Sequence, residues 1–182
     1  MNIWFTSDSH FDHPRILEFE SKGELIRPGF ANVEEMNECM TDRWNETVKD
    51  GDHVWHLGDF GFGTEEQTRK RWNRLKGRKK FVLGNHDDSA LMLDIVGKRN
   101  FYFWKRFTDY EEPFIASHVP LHKFSLIKGD PENNFMQLKN VFGHIHGHDA
   151  PEGGYLNICV EKTDFRPIHI DEIQEKLKGL NW

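Results

Sequence analysis

Cysteine is scarce in this chain: Cys39 and Cys159 are the only two in 182 residues. One distant pair gives neither a disulfide framework nor zinc-type cysteine spacing, and it reads as two buried thiols in a reducing compartment. Long apolar runs are also missing. No stretch approaches the roughly 20 residues that span a bilayer. The opening Met1-Asn2-Ile3-Trp4-Phe5-Thr6-Ser7 lacks the basic region and extended apolar core of a signal peptide. A soluble, cytoplasmic protein is expected. Excess positive charge is absent, the formal net charge being −6, which argues against broad electrostatic binding to nucleic acid. No linker, repeat or low-complexity tract interrupts residues 1–182, so one domain is expected, of a length that buries a core without staples. Aromatic residues are plentiful at 13%, far from a disordered composition.

Turn-forming residues cut the chain into short elements. Residues 2–7 predict a first strand. Residues 11–30 hold Pro14, Gly23, Pro28 and Gly29 and read as a loop with one helical turn after Pro14. Asn32 with Glu35 marks a capping box. Val33, Met36, Met40, Trp44 and Val48 then recur at helical spacing to about Lys49, where Asp50-Gly51-Asp52 ends the helix. Residues 53–57 predict the second strand. Thr64 with Gln67 opens a second helix closed by Gly77, 80–83 predict the third strand, and 89–96 a third helix stopped by Gly97. Such alternation implies parallel strands with helices on their faces. Past residue 100 the pattern turns to strands at 101–107, 113–117, 139–142, 155–160 and 167–170. A terminal helix from Asp171 carries Ile173, Leu177 and Leu180. The fold class expected is α/β, with a second, more mixed sheet packed on the first.

Five short motifs follow these apolar runs: Asp8-Ser9-His10, Gly58-Asp59, Gly84-Asn85-His86-Asp87, Ser117-His118 and Gly143-His144-Ile145-His146. In an extended segment Asp8 and His10 point to one side, about 6.7 Å apart along the chain. Carboxylate oxygen and imidazole nitrogen bond metals at about 2.0–2.2 Å, so both reach one ion. Asp59 has two oxygens and is able to bridge two ions. Asn85 offers an amide oxygen, and His118, His144 and His146 supply further imidazoles. Ligands of this kind and number hold two divalent cations side by side, at about 3.5–4 Å, an arrangement that clamps a phosphate and makes a hydroxide nucleophile at neutral pH.

Taken in order, the five motifs resemble the signature of the calcineurin-like metallophosphoesterases: Asp-x-His, Gly-Asp, Gly-Asn-His-Asp/Glu, a lone His, and Gly-His-x-His. They span residues 8 to 146. The small, single-domain phosphoesterases of bacteria and phages are most similar, in phrases such as Val54-Trp55-His56-Leu57-Gly58-Asp59-Phe60 and Ser117-His118-Val119-Pro120-Leu121. The resemblance implies a four-layer α/β/β/α sandwich of two mixed sheets flanked by helices. It implies Asp8, His10 and His146 on a first metal, and Asn85, His118 and His144 on a second. Asp59 and a solvent hydroxide would bridge the two. His86 would bind no metal but would sit over the phosphoryl group, donating a proton to the leaving oxygen or stabilising developing charge. Catalysis is thus expected to centre on His86, Asp59 and Asn85. The mixed N/O donor set accepts Mn, Fe, Zn, Ni or Co, with manganese ranked first for the carboxylate and amide oxygens.

The family's protein Ser/Thr phosphatases carry Asp-Arg-Gly shortly after the Gly-Asp. Here Asp59 is followed by Phe60-Gly61-Phe62-Gly63, which counts against protein phosphatase activity and leaves Asp87 as the candidate to orient His86. The family's phosphodiesterases generally retain the His of Asp-x-His, as His10 does. Hydrolysis of phosphodiesters, with small activated monoesters as secondary substrates, is therefore the leading expectation. A nuclease acting on short nucleic acid ranks below it, and a non-catalytic binding scaffold on the same fold below that. The expected partner is a small phosphoester, nucleotides among the candidates, with no membrane and no stable nucleic-acid complex. From Arg69 to Lys80, eight of twelve residues are Lys or Arg; a solvated helix face is the favoured reading over a phosphate-backbone patch. Asp12, His13, Arg15 and His122 are candidates for the cleft, His148 for its rim, and His53, His56 and His169 for structural roles.

Overall fold

Alternation along three strands builds the first sheet. In β1 (Ile3–Thr6), β2 (His53–His56) and β3 (Arg78–Val82), successive side chains face opposite ways. Trp4, Val54 and Phe81 enter one apolar cluster, and Phe5, Trp55 and Val82 enter another. A sheet apolar on both faces needs a layer on each side. On one face lie α1 (Val33–Thr47), α2 (Glu65–Arg74) and α3 (Ser89–Val96), contributing Met36, Met40, Trp44, Trp72 and Met92. On the other lies the second sheet, contributing Phe107, Phe114, Ala116 and Val141, together with Ile173 and Leu177 of α4 (Ile170–Lys178). The molecule is described here from a computed structural model that covers residues 1–130 and 134–182.

The first sheet gains β4 (Phe101–Tyr102), parallel to β3, and β9 (Ile168–His169), antiparallel to β1, giving the order β9-β1-β2-β3-β4. β1, β2 and β3 are mutually parallel. The second sheet runs β8 (Tyr155–Asn157), β7 (Lys139–Phe142), β6 (Phe114–Ser117), β5 (Trp104–Phe107). Its first three strands are parallel and β5 is antiparallel. This is the mixed α/β architecture of two packed mixed sheets expected from the sequence. No helix among the described residues is long and apolar enough to cross a membrane.

Several boundaries differ from the sequence expectation. The run 101–107 is two strands in different sheets, and the chain crosses between them at Phe103, whose ring is exposed. Nothing in an unbroken β-prone run marks such a switch. The run 155–160 stops at Asn157, whose amide donates to the His146 and His148 carbonyls and whose oxygen accepts from Cys159 N. That side chain competes with the strand ladder, and a short 3-10 turn, Val160–Lys162, follows. Two hairpins went unforeseen: Glu20–Ser21 with Glu24–Leu25, and Ile127–Asp130 with Asn134–Gln137. The Thr64–Gln67 capping box forms fully. At α1 Asn32 accepts from Glu35 N, but Glu35 takes Ala31 N, so only half a box forms. Cys159 is buried as expected, whereas Cys39 is only half-buried; both thiols are free.

Asp52 fastens this frame ahead of β2. Its buried carboxylate accepts from Asn2 N at 3.0 Å, Trp4 Nε1 at 3.1 Å and Lys49 N at 3.1 Å, joining the start of β1 to the end of α1. Burial pushes the carboxyl up, but these donors outweigh it and hold it down to about 2. A depressed carboxyl contributes stability that is present above the unfolded value of about 3.9 and is lost as pH falls through the folded value. Asp52→Asn should therefore lower the unfolding free energy at pH 7 by about 1–3 kcal/mol. The gap to wild type should narrow between pH 4 and 2 in urea melts; a gap unchanged at pH 2 contradicts this account.

Candidate metal centre

All five motifs lie where strands end at their carboxyl edge, the place where open α/β sheets present ligands. Asp8-Ser9-His10 follows β1, Gly58-Asp59 follows β2, and Gly84-Asn85-His86-Asp87 follows β3. His118 follows β6, and Gly143-His144-Ile145-His146 follows β7. Side chains up to 138 residues apart in sequence, from Asp8 to His146, thus meet in one place. Asp8, His10 and His146 offer ligand atoms within 4.8 Å of one another, as do Asp59, His118 and His144.

The loops turn sharply to achieve this. Asp8, His10, Asp59, His144 and His146 all have left-handed backbones, with φ between 48° and 71°. Such conformations in non-glycine residues cost on the order of 1 kcal/mol or more each and persist only where surroundings enforce them. Asp8 and His10 therefore reach the centre through a left-handed loop, not through the extended segment that their spacing suggested. Two motif glycines allow the approach of the loops. A Cβ on Gly143 would run into Ser7 Oγ and Asp8 Oδ2, and one on Gly84 into Asp59.

Hydrogen bonding sorts the polar atoms into those already used and those left over. Asp8 Oδ2 accepts from Ser7 Oγ at 2.5 Å, His144 N at 2.8 Å and Cys159 Sγ at 3.2 Å. Asp8 Oδ1 is buried with no partner, as are both ring nitrogens of His10. His10 Nε2 lies 3.8 Å from Asp8 Oδ1 and 3.6 Å from Asp59 Oδ2. The same Asp59 oxygen lies 3.4 Å from His118 Nε2. His118 Nδ1 lies 2.8 Å from the Leu57 carbonyl and must carry a proton there, which leaves Nε2 as the ring atom that faces acceptors. Asn85 Oδ1 lies 2.8 Å from both His118 Nε2 and His144 Nδ1.

Lone pairs aimed at lone pairs in a buried site call for positive charge between them. Burial lowers the His118 imidazole, but the Asp59 contact, the charges of Asp8 and Asp59 and the Leu57 carbonyl prevail and hold it up to about 9. Burial likewise opposes ionisation of Asp8, yet His10, His118, His146 and Ser7 hold its carboxyl well below the usual range. Two carboxylates, an amide oxygen and four imidazoles suit divalent cations of the Mn-to-Zn series. Cys159 adds no thiolate: burial and the charges of Asp8 and Glu161 push its thiol up, and it donates to Asp8.

His86 stands at the rim. Its backbone N–H donates to Asp59 Oδ1 at 2.9 Å, and its exposed ring lies 5.4 Å from Phe62 and 5.9 Å from His10 between centroids. Asp87 does not orient it. Both Asp87 oxygens are taken by backbone amides of Asp59, Phe60 and Gly84, so Asp87 pins the second and third loops together. Among the described residues no carboxylate reaches the His86 ring.

The remaining candidates divide. The His13 ring packs 4.1 Å from Phe62 beside the centre. Asp12 is occupied by Asn37 and Arg71, Arg15 pairs at the surface with Glu18, and His122 lines a separate cleft with Tyr155 and Trp182. His148 bonds Ser21 at the rim. In the basic run Arg69, Arg71 and Arg74 pair with Glu65, Asp94, Asp12, Glu34 and Glu38, so three of its eight basic side chains are engaged with carboxylates. His56 is buried and bonds Ser9 Oγ at 2.7 Å, under the first motif. Sequence reasoning missed Arg27 and Glu161 altogether. Both are buried against the motif loops, and no spacing connects them to it.

The chain is similar over most of its length to known proteins. The family model for calcineurin-like phosphoesterases matches residues 1–172. Uncharacterized protein MJ1445 of Methanocaldococcus jannaschii is 27% identical over 182 residues, covering 94% of this chain and 88% of that one. The Gene 66 protein of Mycobacterium phage L5 is 34% identical over 154 residues, covering 83% and 68%. The crystal structure of a protein of unknown function, AQ665, from Aquifex aeolicus superposes with a TM-score of 0.66 at 25% identity, covering 96% of this chain and 98% of that one. With the match running over nearly its whole length, the chain belongs to the calcineurin-like phosphoesterases and is a hydrolase of phosphoric esters.

Proposed function

We propose that the protein is a single-domain, dimetal phosphodiesterase acting on small diesters, nucleotides among them, in the cytoplasm, and that manganese is its working ion. The observation that carries this is one oxygen. Asp59 Oδ2 faces His10 Nε2 on one side and His118 Nε2 on the other, which is the placement a shared ligand needs. In this reading Asp8, His10 and His146 hold one ion, Asn85, His118 and His144 hold the other, and Asp59 joins them. Bound there, the ions supply Lewis acidity and an activated water.

The chain's own residues do the rest. The Asp8 carboxylate is fixed by three donors on Oδ2, so its Oδ1 cannot rotate away. The His86 backbone amide fixes Asp59, and the His86 ring gives its proton to the departing oxygen. Phe62, with His13 packed against it, stands beside His86 as an aromatic wall for the second ester arm, which favours diesters over monoesters. With Mn²⁺, kcat/KM for bis-p-nitrophenyl phosphate should exceed that for p-nitrophenyl phosphate about tenfold, a difference of about 1.4 kcal/mol in barrier. Equal or reversed values remove the diester preference. Turnover of neither ester with Mn, Fe, Zn, Ni or Co removes the catalytic reading.

A further inference from the structure

Behind the first ligand group lies a buried ion pair that no motif announces. Arg27 is 1% exposed. Its Nε donates to Glu161 Oε1 at 2.8 Å, its Nη1 to the Ser9 carbonyl at 2.8 Å and its Nη2 to the Asp8 carbonyl at 2.5 Å. The same Glu161 oxygen lies 3.0 Å from His146 Nδ1, and Glu161 Oε2 is buried with no partner. One pair thus grips the loop bearing Asp8 and His10 and the ring of His146. A buried ion pair is weak as a stability device, because desolvation offsets its attraction. Its position against two ligand loops suggests a different use.

The two ligand groups are supported unequally. A carboxylate only accepts, so His146 Nδ1 carries the proton and Nε2 keeps its lone pair. A carboxylate behind an imidazole also raises the basicity of the ring toward a metal. In the other group, His118 leans on the neutral Leu57 carbonyl, while His144 and Asn85 are exposed to solvent. Asp8 and His10 are buried, at 0% and 2% exposed. The His146 carbonyl is held as well, by Asn157 Nδ2 at 2.7 Å.

Building on the dimetal reading above, we infer that Glu161, held by Arg27, is a positioning residue for His146 that makes the Asp8–His10–His146 side the tighter ion site. The centre then fills in order, and the Asn85–His118–His144 side takes its ion last and exchanges it with solvent. The test is Mn²⁺ binding, followed by calorimetry and by the electron paramagnetic resonance of bound ion, at one pH. Wild-type protein should take up two ions in separate steps. Asn85→Ala should lose the weaker step and keep the tighter one. Glu161→Gln should weaken the tighter step about 10–100-fold and leave the weaker one unchanged. Were Glu161 to serve stability alone, Glu161→Gln would lower Tm and affect the two steps alike.

If circular dichroism shows that Glu161→Gln does not fold, Glu161→Asp takes its place. It keeps a negative charge opposite Arg27 while drawing the shared oxygen back from both Arg27 Nε and His146 Nδ1, and the same selective weakening is expected. Equal weakening of both steps, no weakening, or loss of the tighter step in Asn85→Ala overturns the assignment. Wild-type protein that takes up no ion overturns the dimetal reading itself, and the assignment with it. Two ions bound by wild type and equally well by the Glu161 variants overturns the assignment alone.

Discussion

Asp59→Asn should reduce bound ion from two per chain to one or none and lower kcat/KM on a diester by on the order of 10⁴, about 5.5 kcal/mol of barrier. The reason is charge and reach. Asp59 Oδ2 lies 3.6 Å from His10 Nε2 and 3.4 Å from His118 Nε2. Asparagine keeps an acceptor for the His86 amide that now rests on Oδ1 at 2.9 Å. It removes the negative charge that offsets two dications. Stability should change far less than activity, since Gly84 still packs on the same side chain. Metal content by mass spectrometry and steady-state kinetics with Mn²⁺ decide the matter. Two ions retained with wild-type kcat/KM would mean that Asp59 is not the shared ligand.

The candidate ligand set was legible in the sequence because each member sits at a fixed offset after an apolar run, and parallel strands bring such offsets to one edge. The sequence-predicted Asp8, His10, Asp59, Asn85, His118, His144 and His146 do converge. What the residues left hidden was the support behind them. Arg27 lies on an irregular loop and Glu161 on a 3-10 turn. Their meeting depends on how the loop after the Glu20–Leu25 hairpin and the turn after β8 fold against the motif loops, a tertiary outcome with no periodic trace. His56 looked structural, and so it is, yet its bond to Ser9 places it directly under the first motif.

The fold shows the same division. Short apolar runs marked β1, β2 and β3, and the capping residues Asn32 and Thr64 marked the starts of their helices, whereas the cap that Asp88 supplies to α3 was not read from the sequence. The sheet switch at Phe103 and the early end of β8 at Asn157 were not legible. The first depends on where a second sheet lies. The second depends on one side chain finding three backbone partners.

His86→Ala separates an enzyme from a binding scaffold on this fold. Among the described residues the ring meets no carboxylate, and its exposed position beside Phe62 and His10 leaves it free to meet a substrate. Removing it should leave two ions bound and KM little changed, while kcat on a diester with an alcohol leaving group falls about 10²–10⁴-fold, the span of general acid catalysis. The loss should be much smaller on bis-p-nitrophenyl phosphate, because p-nitrophenolate departs without needing a proton. That dependence on leaving group is the informative readout. Equal losses on both substrates would assign His86 to stabilising charge on the phosphoryl group in place of proton transfer. No loss on either, with turnover intact, would take His86 out of the reaction.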